Sequence, residues 1–290
     1  MFGKILFPVD FSPRCRLAAS YMAGIAEKFN SKVTLLHAIG AYDGFSGADM
    51  DGYAYVQWQD WMRKKCETDI ADFGRPCLDR FVTDRVVEDG EAGDVITGYA
   101  ADNKFDLIMM PTHGHGMFRE LLLGSVTSKV LHDTECPVWT LAHVEDAAAI
   151  MHPSNAVRKI VCAVEAGPED EHIVVCAKQL SALYQAEVVL AHALPAPFAN
   201  AEAYTFDTSL DRMLRDQADD ALAAVQNRMG TSWETWLRPG GVAPVIREAA
   251  TECGADLVLI GRGRIHERLG RLRSNSAAII REAPCPVLSL

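Results

Sequence analysis

The sequence predicts an α/β protein of two tandem domains, each a mainly parallel sheet with helices on both faces. Three observations predict it: the chain repeats itself, short apolar runs alternate with helical periods, and the composition is that of an ordinary globular protein. The 290 residues are 49% hydrophobic and 23% charged, enough chain for two cores.

The repeat comes first because it sets the domain count. "GKILFPVDFSPRCRLAASYMAGIAEKFNSKVTLLHA" from Gly3 resembles "RKIVCAVEAGPEDEHIVVCAKQLSALYQAEVVLAHA" from Arg158, at an offset of 155. "FDLIMMPTHGHG" from Phe105 resembles "ADLVLIGRGRIH" from Ala255 at 150, and "LHDTECPVWTL" from Leu131 resembles "IREAPCPVLSL" from Ile280 at 149. Loop changes absorb the drift in offset. The expected domains are 1–143 and 158–290, joined by "HVEDAAAIMHPSNAVR", which carries a Pro-Ser-Asn turn and little periodicity.

Within the first copy, "KILFPVD" reads as a buried strand. "RLAASYMAGIAEKF" follows with a helical stripe at Leu17, Ala18, Tyr21, Met22, Ile25 and Phe29. Next come "KVTLLHA" as a strand and a long amphipathic region around 57–83. "RVVE" reads as a strand, "AGDVITGYAADN" as a helix, "DLIMMP" as a strand, "SVTSKVLHD" as a helix and "PVWTL" as the last strand. The second copy repeats this order. Continuous apolar strands alternating with helices mean βαβ units and a parallel sheet covered on both sides. The segment from Gly40 to Tyr55, rich in Gly, Asp and Tyr, reads as a mobile insertion over one end of the sheet.

Composition excludes several classes. The net charge is -11, spread along the chain, which argues against a nucleic-acid binder because such proteins carry a basic face. It leaves room for a small anion held by backbone N–H groups. No apolar run reaches the roughly 20 residues that span a bilayer, so no membrane partner is expected. "MFGKILFPVDFS" is too short and too interrupted for a secretory signal, and the expected location is cytoplasmic. The eight cysteines form no CxxC pair and read as reduced, buried small hydrophobes, not as a zinc site.

The stretch "MPTHGHGMFRELLLGSVTSKVL" carries the chemistry. In open α/β sheets ligands bind at the carboxyl ends of strands, near a topological switch point. "DLIMMP" delivers Pro111, Thr112, His113 and Gly114 to that edge, and Gly124 and Ser125 precede a helical run. A helix N-terminus offers unpaired N–H groups and partial positive charge, which suit phosphate. Glycine at both places would admit close backbone approach and positive φ, and Ser125 and Thr127 could add hydroxyl donors. The same residues also suit a purely architectural part, with Gly114 ending a strand, Gly124 making a turn and Ser125 capping a helix. Neither GxxxxGK[ST] nor GxGxxG is present.

These motifs make the chain resemble a tandem member of the universal stress protein family. Nucleotide-binding members carry Gly-x2-Gly-x9-Gly-Ser/Thr after the fourth strand and an Asp at the end of the first. Here the pattern reads Pro111-x2-Gly114-x9-Gly124-Ser125, and Asp10 in "FPVDFS" matches the Asp. The resemblance covers both copies. It implies a flavodoxin-like, adenine nucleotide alpha hydrolase-like fold of five strands per domain and bound ATP or ADP, with or without Mg2+. By similarity Pro8, Val9 and Asp10 line the adenosine side, Ala38 offers backbone to the adenine, and Gly114, His115, Gly124, Ser125, Val126 and Thr127 surround the phosphates. In similar members the last strand pairs across a dimer axis, so the resemblance implies pairing of the two copies within one chain, a further homodimer and an unidentified protein partner as the open options.

The chain departs from the pattern in two places. Pro111 stands at the first motif glycine and has no N–H to donate. The second copy, aligned as Gly261-x2-Arg264-x9-Ser274-Asn275, has lost two glycines, and Glu165 replaces Asp10. That copy reads either as a degenerate one kept for assembly or as a site for a different anion served by Arg262, Arg264, Arg268, Arg271 and Arg273.

Other candidates carry less. His113 and His115 lack a third ligand at sensible spacing, so no metal site is expected. Asp10 precedes Ser12-Pro13, where its carboxylate could organise the turn, meet ribose hydroxyls or meet magnesium. No GxSxG elbow and no activated cysteine is present, and Arg119 and Lys129 are the cations nearest the first motif. Turnover, at most slow ATP hydrolysis, is therefore not the leading expectation.

Overall fold

Strand and helix positions follow the apolar patterning closely. In the computed structural model, residues 1–40, 52–112, 123–141, 157–167, 170–195, 208–262 and 274–290 are described. The chain divides into two units, Met1–Asn155 and Ala156–Leu290. Among the described residues no helix is long and apolar enough to cross a membrane.

In the first unit β1 (Lys4–Pro8), α1 (Pro13–Phe29), β2 (Lys32–Ile39), α2 (Gly52–Asp72), β3 (Val82–Asp89), α3 (Ala92–Asp102), β4 (Leu107–Pro111), α4 (Ser125–Asp133) and β5 (Val138–Leu141) alternate. The strands order as β3-β2-β1-β4-β5, each paired parallel to its neighbour. The second unit repeats this with β6 (Lys159–Ala163), α5 (Glu171–Tyr184), β7 (Glu187–Leu194), α6 (Thr208–Met229), β8 (Glu234–Pro239), α7 (Val242–Cys253), β9 (Leu257–Ile260), α8 (Ser274–Glu282) and β10 (Val287–Ser289). Its order is β8-β7-β6-β9-β10, again parallel. In both units the order reverses beside the first strand, between β1 and β4 and between β6 and β9. That reversal opens a crevice at the carboxyl edge.

Local chemistry explains the boundaries. Ser12 accepts the Cys15 N–H and Pro13 opens α1, while Asn30, left-handed at φ 52°, ends it. The amino edge of each sheet is pinned by a repeated aspartate. Asp106 accepts the Lys4 N–H at 2.9 Å, and Asp256 accepts those of Arg158 and Lys159 at 2.8 and 3.0 Å. The central strands carry the core: Ile5, Leu6, Phe7, Leu107, Ile108 and Met109 are fully buried.

Three expectations are refined. Gly52 to Tyr55, placed by sequence in a mobile insertion, begin α2, and the remainder of that insertion from Ala41 to Asp51 lies outside the described residues. The amphipathic region 57–83 is not one element. Helix α2 stops at Asp72 because Gly74 takes φ +74° and Pro76 follows, and β3 starts at Val82. Leu17, counted in the α1 stripe, is 40% exposed, so the buried face is narrower than the pattern suggested.

Trp139 in β5 is wholly buried, edge-on to Tyr21 with ring centroids 6.3 Å apart, and its indole N–H has no hydrogen-bond partner among the described residues. Trp139→Ala is expected to cost about 3–5 kcal/mol by urea unfolding, as large cavities do. Trp139→Phe keeps most of the ring and removes the unsatisfied donor, so its cost should stay under about 1.5 kcal/mol. Equal losses in both variants would contradict this account of the core.

Candidate functional site

The carboxyl edge of the first sheet is shaped by two βα turns. At the first, the Val9 N–H donates to the Leu36 carbonyl at 2.8 Å, carrying the β1–β2 ladder one residue past Pro8. The Asp10 carboxylate then accepts the Ser12 N–H at 2.9 Å, and Phe11 takes the left-handed φ of 59° that reverses the chain into α1. Asp10 therefore organises the turn, one of the three roles open to it from sequence. His37 on β2 fixes the same turn from below, its Nδ1 lying 2.6 Å from the Val9 carbonyl. The Phe11 ring packs on that imidazole with centroids 4.5 Å apart and meets Phe73 at 6.2 Å. Ala38, next to His37, pairs in register with Glu88 of β3.

The second turn joins β4 to α4. Pro111 is buried opposite Leu141 of β5. The Thr127 hydroxyl sits 3.3 Å from both the Pro111 and the Thr112 carbonyls, and the Gly124 N–H donates to the Thr112 carbonyl at 3.0 Å. The start of α4 is thereby tied to the end of β4. Gly124 is the helix N-cap with φ -59° and ψ 146°, so the positive φ expected of it is not used. An N-cap residue needs extended backbone, which any L-residue can adopt. Among the described residues no side chain caps this helix. The amides of Ser125, Val126 and Thr127 form its first turn, and Ser125 is exposed. Such a terminus attracts anions. His113, Gly114, His115 and Arg119 lie outside the described residues.

The nearby titratable groups are already engaged. Lys129 holds Asp94 at 2.8 Å and Asp133 at 2.9 Å, and these carboxylates push its pKa up. Its stem lies against Gly93, where a Cβ would come 2.6 Å from the lysine Cδ. Burial, with the nearby Asp10 charge, pushes the Cys15 thiol far above the usual thiol range, and its Sγ contacts the Pro8 carbonyl at 3.7 Å. Burial likewise raises Cys176 and Cys285 to about 12. These thiols stay protonated and pack. Among the described residues no cluster of three His, Cys, Asp or Glu could hold a metal.

The second unit repeats the scaffold with altered chemistry. His192 Nδ1 lies 2.8 Å from the Val164 carbonyl, as His37 does from Val9, and Ala166 takes φ 61° where Phe11 stands in the first unit. The turn bond has moved. Asp170, buried on the helix side, accepts the Glu165 N–H at 3.0 Å and the Gly167 N–H at 2.9 Å. The Ser276 hydroxyl reaches the Gly261 carbonyl at 3.3 Å, matching Thr127.

That match corrects the alignment of the motif. In β4–β5 Ile108 pairs with Val138, and in β9–β10 Val258 pairs with Val287, offsets of 150 and 149. The missing residue therefore lies between strand and helix. Helices α4 and α8 start at Ser125 and Ser274, so Ser274 occupies the place of Ser125. The sequence alignment placed the gap on the wrong side of the helix start. A cavity of about 710 Å³ opens at this edge of the second unit, lined among others by Glu165, His172, Ile173, His192, Ile246 and Asn275.

Sequence reasoning missed His37, His192 and Asp170. The histidines were visible as the shared "LHA" and "AHA" endings of the repeat. Asp170 was not, because it has no counterpart in the first copy, where Cys15 stands.

Two parallel α/β units, each with its strand order reversing beside its first strand, define a tandem, doubly wound α/β class of protein. Comparison with known proteins narrows this. The model of the Universal stress protein family matches residues 1–141 and 156–290, and the chain belongs to that family. Universal stress protein MJ0577 of Methanocaldococcus jannaschii is 24% identical over 151 residues, 48% of this chain and 93% of that protein. Universal stress protein Slr1230 of Synechocystis is 45% identical, but over 51 residues, 18% of each chain. The crystal structure of a universal stress protein from Archaeoglobus fulgidus superposes with TM-score 0.66 at 20% identity, covering 99% of this chain and 95% of that one. This last likeness concerns the fold.

Asp170→Asn is expected to lower stability by about 1–3 kcal/mol, because one buried amide would then face an NH2 group. Thermal unfolding checks it, and an unchanged midpoint would remove Asp170 from this role.

Proposed function

We propose that this universal stress protein binds an adenine nucleotide, ATP or ADP, in its first unit and uses occupancy as a conformational signal. The observation that carries the reading is the N-terminus of α4, whose N-cap Gly124 has no side chain, held at the carboxyl end of β4 by the Thr127 and Gly124 bonds. Amides of Ser125, Val126 and Thr127 would receive the phosphates. Pro8, Val9 and Asp10 would border the adenosine, and the Ala38 backbone would meet the base. Gly114 and His115 belong to the proposal by sequence only. Pro111 serves through its carbonyl, which accepts from Thr127, so its missing N–H does not weigh against the site. Binding, not turnover, is the better reading, because Lys129 is engaged by two carboxylates and Asp10 by the turn amide.

Isothermal titration with ATP tests this. Gly124→Asp fits the observed backbone and supplies a favoured N-cap, so the fold should hold. The new carboxylate would occupy the amides and repel phosphate, weakening binding by about 100-fold or more, a like-charge penalty of several kcal/mol. Lys129→Ala should leave ATP affinity within about threefold, as an exposed side chain with other partners would. Wild-type protein that ignores millimolar ATP and ADP, or Gly124→Asp binding as wild type does, refutes the reading.

A further inference from the structure

Beside the first βα turn of the first unit, four rings form one column. Phe73, buried just past the end of α2, meets both Phe7 of β1 and Phe11, with ring centroids 6.2 Å away in each case. Phe11 in turn packs on the His37 imidazole at 4.5 Å, and the Arg16 guanidinium stands 5.8 Å from the Phe73 centroid. These spacings are those of favourable ring pairs and of a cation over a ring. The column ends on the turn itself, because His37 reaches the Val9 carbonyl and Phe11 directly follows Asp10.

The second unit has taken the column apart. Buried Cys66 and Ile70 of α2 match buried Ala218 and Leu222 of α6, which sets Val225 at the place of Phe73. Cys162 stands for Phe7, Ala166 for Phe11 and Glu171 for Arg16, while His192 keeps the place of His37. There Asp170 braces the turn through two amides. In the first unit Cys15 holds that place, its thiol on the Pro8 carbonyl, and cannot brace the turn as a carboxylate does. A φ of 59° is unfavourable for a residue as bulky as Phe11, and its ring contacts offset that cost. Rings in the first unit thus do what a carboxylate does in the second.

We propose that Phe11 and Phe73 are positioning residues for the adenosine half of the first-unit site, a role that rests on the nucleotide reading above. They act through Val9 and Asp10, whose backbone they hold in one shape, so the ordering of that turn is completed in folding and adds no cost on binding. The phosphate half stands instead on α4, tied to β4 by Thr127 and Gly124 without any residue of the column.

Displacement of a fluorescent ATP analogue from the full chain, by ATP and by inorganic tripolyphosphate, separates the two halves. Phe11→Ala keeps a backbone that Ala166 already adopts. It should weaken ATP by about 3- to 10-fold, the worth of the lost ring contacts, and leave tripolyphosphate within about twofold. Phe11→Tyr retains the ring and should bind ATP as wild type does. Phe73→Val installs the second unit's residue and should reproduce the Phe11→Ala loss. The double variant should lose no more than the larger single one, because both act through one contact. Should Phe73→Val unfold, Phe11→Ala still decides, since its ring is only half-buried. Equal losses for ATP and tripolyphosphate overturn the proposal, as does a tripolyphosphate that fails to compete on wild-type protein. Wild-type protein that binds no ATP sinks the nucleotide reading and this role together; wild-type binding with an unaffected Phe11→Ala sinks this role alone.

Discussion

A single buried hydroxyl contact organises the carboxyl edge of each unit. Thr127 in the first copy and Ser276 in the second place a side-chain hydroxyl from the first turn of a helix on the carbonyl that ends the preceding strand. Between them the chain makes an excursion whose closure costs entropy that grows only slowly with length. The excursion can therefore vary, by one residue between the copies here, while its two ends remain fixed. At the β4–α4 turn this bond positions the helix amides and their partial positive charge.

The same constraint accounts for Pro111. A backbone position that serves by accepting a hydroxyl needs a carbonyl and no N–H, which proline supplies. What the position must satisfy is packing against the first helix of its unit. In the second copy Gly261 stands there, and a Cβ would come 2.8 Å from Ile173 Cδ1. The residue at the place of Ile173 in the first copy is Ala18, fully buried. Bulk has been exchanged between strand end and helix, proline with alanine against glycine with isoleucine. Close packing punishes both overfilling and voids, so such changes come in pairs.

Much of this was legible in the sequence. The central strands were continuous apolar runs, as burial on both faces requires, whereas the outer strands β3 and β8 are largely exposed. The helices carried their own signals, as at Ser12-Pro13 and at the Gly124-Ser125 start of α4. What escaped were features that depend on contacts distant in sequence. His37 acts through Val9, 28 residues away. Gly124 was given a positive φ because glycine permits one, although the N-cap role asks for extended backbone. The second motif was misaligned by one residue because Ser274 matches Ser125 by type only after strand register has located the gap.

The transfer of one turn bond explains how the copies could diverge without losing their shape. In the first unit Asp10 both stands at the crevice and holds the Ser12 amide, so altering it for ligand chemistry would also loosen the turn. In the second unit Asp170 holds the turn from a buried place on the helix side, using both carboxylate oxygens. Residue 165 no longer has to be the short side chain that reaches an amide two residues on, and a glutamate stands there. The aromatic at the left-handed position is likewise dispensable once the turn is fixed from elsewhere, and Ala166 occupies it. Both exchanges are compatible with the turn because Asp170 holds it, which separates the requirements of the fold from those of the cavity.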